Sequence, residues 1–132
     1  MVSKMIESII PAGGAKPAAP YSPGIRYGEL VFSSGQVGID PATGKLAEGG
    51  IEAQARQCME NVKKVLEAAG SDMDHVLKCT IFMTDIADYG VINDIYGSYF
   101  TAAFPARSAF QVAALPLGAL VEIEAIAVVK GA

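Results

Sequence analysis

Charge is scarce in this chain, and histidine and cysteine are scarcer. Of 132 residues 18% are charged and 52% hydrophobic, with one histidine and two cysteines. His75 follows Asp72-Met73-Asp74 in a polar turn and reads as a surface residue. Cys58 and Cys79 fall in a predicted helix and a predicted strand without CxxC spacing, so both read as small buried hydrophobes. One imidazole and two separated thiols do not close a usual transition-metal site, and no metal is expected. A GxSxG elbow, a P-loop and a GxGxxG fingerprint are all missing. The chemistry open to the chain is that of side chains, backbone groups and water.

Basic runs are missing as well. A net charge of -4 and a pI near 4.9 argue against a phosphate-backbone binder, so no nucleic-acid partner is expected. No apolar stretch approaches the roughly 20 residues that span a bilayer, because glycine, proline and charges interrupt every run. Nor does a sustained apolar segment follow Lys4, where an export signal would continue. The reading is a cytoplasmic protein without a membrane partner. The length suits one domain, residues 1–132, with a real core. Eighteen per cent charge is little with which to cover so small a globule, which implies apolar surface buried against another copy.

Residues 5–10 predict a short edge strand, closed by Pro11 and a small-residue run. Residues 25–27 and 30–34 flank Gly28-Glu29 as a hairpin with a primed turn. Gly35 permits a bulge or a close backbone approach, and residues 40–50 read as a long link without core signal. Between Ile51 and Ala69 the apolar residues Ala55, Cys58, Val62, Val65 and Leu66 recur at helical steps, stopped by Gly70. Residues 77–84 have strand period, with Leu77, Cys79, Ile81 and Met83 on one side. Asp88 is placed to cap a second helix with the stripe Ile92, Ile95, Tyr96, Tyr99 and Phe100. Strands near residues 107–114 and 120–129 follow, joined by a turn at Pro116-Leu117-Gly118. Two helices cover only one face of such a sheet, so the fold class is α+β, a two-layer sandwich. Its other face, carrying residues such as Phe32, Phe82, Phe110 and Val112, is expected to be buried between subunits.

The last strand holds the chemical interest. Its alternation sets Glu122 and Glu124 on one face with Ile126 and Val128, and Val121, Ile123, Ala125 and Ala127 on the other. Carboxylates within an apolar strand are costly unless solvated, paired or hydrogen-bonded, and Arg107 is the nearest candidate partner in sequence. Arg107 offers a planar fork for a substrate carboxylate; a structural ion pair with Glu122 or Glu124 is the competing reading. Either glutamate suits a general base if burial raises its pKa.

The run FPARSAFQVAALPLGALVEIEAIAV from Phe104 onward, with APYSPG from Ala19, SSGQVGIDPATG from Ser33 and QARQCMENVKKVLEAAG from Gln54, resembles the RidA (YjgF-type) reactive-intermediate deaminases. The resemblance covers nearly the whole chain. It implies a chorismate-mutase-like sandwich, a mixed sheet with two helices on one face, assembled as a homotrimer around a central barrel with sites in the clefts between subunits. It implies hydrolysis of enamine and 2-imino acids, such as the 2-iminopropanoate formed from 2-aminoacrylate, to 2-oxo acids and ammonium. No bound cofactor is implied. Arg107 matches the family arginine that clamps the substrate carboxylate, and Glu122 the glutamate that positions or activates water. Tyr21, Ser34, Gly35 and Asn93 match residues of the pocket. Ala109 stands where many members have cysteine, a position that also meets the ligand through its backbone. The same resemblance permits an alternative, a non-enzymatic trimeric module that binds small acids or proteins. A ribonuclease activity, also attached to the family, fits the acidic chain least.

Overall fold

The computed structural model describes residues 5–13 and 17–132. The described residues form nine strands and two α-helices: β1 (Glu7–Ile9), β2 (Gly24–Tyr27), β3 (Leu30–Ser33), β4 (Gln36–Val37), β5 (Ile39–Asp40), β6 (Lys45–Leu46), α1 (Gly50–Ala68), β7 (Val76–Met83), α2 (Tyr89–Gly97), β8 (Ala106–Gln111) and β9 (Val121–Val128). The main sheet has the order β1-β2-β3-β9-β7-β8, with β4 adding to β9 beyond the end of β3. Among the described residues only β7 and β8 pair in parallel, which requires a crossover, and α2 lies on it. This is a mixed sheet with both helices on one face, the expected α+β sandwich. The β2–β3 hairpin turns at Gly28, whose φ of 60° takes the left-handed region a primed turn demands.

The alternation predicted for the last strand is present. Val121, Ile123, Ala125 and Ala127 of β9 are buried with Cys79, Ile81 and Met83 of β7 beneath Ala55, Cys58, Met59, Val62 and Leu66 of α1 and Ile92, Ile95 and Tyr96 of α2. Helix α1 ends in a Schellman motif: Ser71 N–H donates to Leu66 O at 2.9 Å and Gly70 N–H to Glu67 O at 3.1 Å. Three expectations need correction. Leu77 does not join the buried set, because a bulge between Val76 and Lys78 turns it outward to 48% exposure. Asp88 makes no side-chain cap; Asp85 instead accepts from Ala87 N at 2.9 Å and caps the 3-10 turn that leads into α2. The link through residues 40–50 contains the β5–β6 hairpin, which Asn61 of α1 ties down by donating to Val37 O (3.2 Å) and Ile39 O (2.9 Å). Asn61 is buried in a helix whose apolar periodicity gave no sign of that role.

The second face of the sheet carries Phe32, Phe82, Phe110, Glu122, Glu124 and Ile126, as the register of β3, β9, β7 and β8 dictates. Phe82 and Phe110 meet edge to face, with centroids 5.3 Å apart. Phe32 and Phe110 remain 39% and 44% exposed, an apolar surface of the kind that subunit contacts cover.

Candidate active site

The predicted site residues fall into two groups within one chain. The first surrounds Arg107 at the sheet edge. Arg107 pairs in register with Cys79, and Cys79 with Ala125, so its side chain leaves the sheet on the helix side. There it lies against α2: its guanidinium carbon is 5.1 Å from the ring centre of Tyr96 and 5.5 Å from that of Tyr89. Its Nη2 donates to the Tyr89 hydroxyl at 3.0 Å. Asn93, Tyr96, Gly97, Phe104, Pro105 and Arg107 line a cavity of about 250 Å³. Ala109, two residues along β8, points to the same face and packs on the core. The only ion pair among the described residues is that of His75 with Asp72, 2.6 Å apart. Arg107 therefore has aromatic faces and a hydroxyl around it, but no carboxylate.

The second group lies on the other face, at the junction of β3, β4 and β9. Phe32 pairs with Ile126 and Gln36 with Ile123, so one side advances four residues while the other advances three. The extra residue is a bulge at Ser33-Ser34-Gly35, where Gly35 was read as permitting one. The Ser33 hydroxyl accepts from Ala125 N at 2.9 Å, and the Ser34 hydroxyl donates to Ser22 O at 2.6 Å. Those bonds tether the bulge to β9 and to the segment that follows Tyr21. The Glu122 carboxylate lies directly over Gly35, in space that any larger residue there would enter. Its pKa is raised above the ordinary glutamate range, first by burial and then by the neighbouring Glu124 carboxylate. Tyr21, 54% exposed, and Gly35 line a separate cavity of about 630 Å³ with Asn61 and Lys64 of α1, on the helix side of the bulge and not lined by Glu122.

Arg107 and Glu122 are thus on opposite faces. Two strand spacings and a three-residue offset in register separate their backbones by about 14 Å. The ion pair offered by sequence proximity is not formed, and one chain does not bring the arginine and the glutamate to one ligand. Tyr89 and Tyr96 were missed as neighbours of Arg107, because only the parallel β7–β8 pairing lays α2 against β8. Tyr96 belongs to the apolar stripe of α2, and it is buried, as that stripe requires.

The family model described as endoribonuclease L-PSP matches residues 13–129. The chain belongs to this family, that of the YjgF/RidA proteins. It is 46% identical over 129 residues to the cattle protein named 2-iminobutanoate/2-iminopropanoate deaminase, covering 96% of this chain and 93% of that one. Among solved structures, RidA from the Antarctic bacterium Psychrobacter is 40% identical with a TM-score of 0.88, over 93% of this chain and 99% of that one. TdcF of Escherichia coli, solved with bound serine, is 38% identical with a TM-score of 0.87, over 92% and 98% of the two chains.

Proposed function

We propose that this protein hydrolyses 2-imino acids to 2-oxo acids and ammonium, as a homotrimer in which each cleft joins the Arg107 wall of one subunit to the Glu122 wall of the next. The observation that carries the reading is the half-buried Arg107, stacked on Tyr96 and Tyr89 and without an anionic partner among the described residues. A guanidinium so placed suits a planar carboxylate held by two parallel hydrogen bonds. The deaminase name of the cattle relative and the amino acid bound to TdcF, which carries such a carboxylate, point the same way. Placement of the two groups on opposite faces favours a site shared between copies, and the exposed Phe32 and Phe110 supply apolar surface for that contact.

In this reading Arg107 fixes the substrate carboxylate and so aims the adjacent imine carbon across the cleft. Glu122, whose pKa burial raises above the ordinary glutamate range, takes a proton from water as the water oxygen bonds to that carbon. The tetrahedral adduct then receives that proton on nitrogen, the carbon–nitrogen bond breaks as the adduct's hydroxyl gives its own proton to Glu122, and the carbonyl forms as the departing ammonia takes that proton and leaves as ammonium. A protonated imine and water give a 2-oxo acid and ammonium, with no redox partner. Tyr21, Ser34, Gly35, Asn93 and Ala109 shape the walls on either side.

The test is the rate of 2-oxo acid release from imine generated in situ. Wild type is expected to exceed spontaneous hydrolysis, with Arg107→Ala and Glu122→Ala each falling by about 100-fold or more. Glu122→Gln should still bind a 2-oxo acid, separating binding from turnover. A wild type that binds the acid without accelerating hydrolysis would establish the binding-module alternative instead.

A further inference from the structure

We infer that Tyr89 is a positioning residue for Arg107, holding the guanidinium ready for a carboxylate before the substrate arrives; the inference rests on the reading of Arg107 as the substrate clamp. Tyr89 opens α2, at the point where the chain leaves the 3-10 turn capped by Asp85. Its hydroxyl accepts from Nη2 at 3.0 Å, while its ring centre lies 5.5 Å from the guanidinium carbon. Tyr96, 4% exposed, lies 5.1 Å from that carbon, its ring fixed in the core. Tyr96 thus provides a rigid platform, and Tyr89 provides the hydrogen bond that selects an orientation on it.

The donor arithmetic permits this role. A guanidinium has five N–H donors and two bidentate edges, Nε with Nη2 and Nη1 with Nη2, which share Nη2. Tyr89 occupies one of the two Nη2 hydrogens, so one complete edge stays open whichever hydrogen it takes. A carboxylate at the tyrosine position would neutralise the arginine and compete with the substrate. A hydroxyl orients the fork and leaves its charge in place. Without the hydroxyl the arginine keeps its platform but has more rotamers to lose on binding, so affinity falls while the chemical step, set on the opposite wall, does not.

The experiment compares wild type, Tyr89→Phe, Arg107→Ala and the double variant. It measures binding of 2-oxobutanoate by calorimetry and steady-state imine hydrolysis, with thermal melts confirming the fold. Tyr89→Phe, which keeps the ring, is expected to raise both KM and the 2-oxobutanoate Kd about fivefold, as for one partly exposed bond to a charged group, with kcat changed less than twofold. Adding it to Arg107→Ala should leave the residual kcat/KM unchanged, since the tyrosine then has nothing to orient. Unaltered KM and Kd in Tyr89→Phe overturn the inference, as does an equal loss in the Arg107→Ala background. If Arg107→Ala loses binding while Tyr89→Phe does not, Tyr89 alone is misassigned. If Arg107→Ala binds the acid as wild type does, the clamp reading fails and Tyr89 has no role to play.

Discussion

Replacing Gly35 by alanine should lower activity while leaving stability nearly unchanged. Gly35 has no positive φ, so the backbone accepts an alanine, and the nearest atoms an added Cβ meets all belong to the Glu122 side chain. An added Cβ would sit 2.8 Å from the Glu122 carboxyl carbon and 3.0 Å from its Cγ, where carbon–carbon contacts of about 3.5–4.0 Å are normal. The carboxylate must therefore swing by about 1 Å, and being the end of a flexible side chain it is free to do so. An off-rotamer glutamate costs about 0.5–1.5 kcal/mol. Removing glycine from the unfolded chain returns about 0.4–1 kcal/mol. The net change in stability should stay within about 1 kcal/mol, whereas a 1 Å displacement of a base costs on the order of 100-fold in rate. Urea unfolding and imine hydrolysis, measured on the same preparation, test both halves. A Gly35→Ala protein with the wild-type rate would refute the placement of Glu122 over Gly35 as a requirement for turnover; one destabilised by several kcal/mol would refute the claim that the side chain yields.

Gly38→Ala makes the opposite prediction, because its Cβ would lie 2.7 Å from Gln54 O and 2.9 Å from Gln54 Cα, in the backbone of α1, which has nowhere to go. Urea unfolding should show a loss of about 1–3 kcal/mol. Activity needs ionised Glu122, so the acid limb of the pH–rate profile should lie above the ordinary glutamate range, and Glu124→Gln, removing the smaller of the two causes, should move it modestly to lower pH. Because folding raises this pKa, the group's contribution to stability is full below the unfolded value and is lost as pH rises through the folded one; Glu122→Gln should therefore flatten the decline of stability across that window. Phe110→Glu places a charge on the open sheet face beside Phe82 and should dissociate the proposed trimer in sedimentation velocity while the subunit stays folded.

Local sequence pattern is enough to give the layers. Alternation in residues 121–128, helical spacing in residues 51–69 and the stop at Gly70 each follow from the next few residues along the chain, and each is present in the fold. The sequence also carried the family, through motifs spread from Ala19 to the end of the last strand, and through them the proposal of Arg107 and Glu122 as site residues. Where a signal depended on distant partners it was weaker. Asn61 sits in the apolar stripe of α1 as a polar residue with no local reason to be buried, and its reason is the carbonyls of Val37 and Ile39. Leu77 had the right period for the core, and a bulge against β9 turned it away.

Which side of the sheet each charged group occupies follows from strand pairing alone. Within a strand the alternation rule relates neighbours, but nothing local relates the phase of β8 to that of β9 across the intervening β7. That phase is set by register, Arg107 opposite Cys79 and Glu122 opposite Phe82, and it places the two groups on opposite faces. The same parallel pairing brings Tyr89 and Tyr96 to Arg107 in place of a carboxylate, leaving a guanidinium oriented by aromatic rings and a hydroxyl with its charge still available.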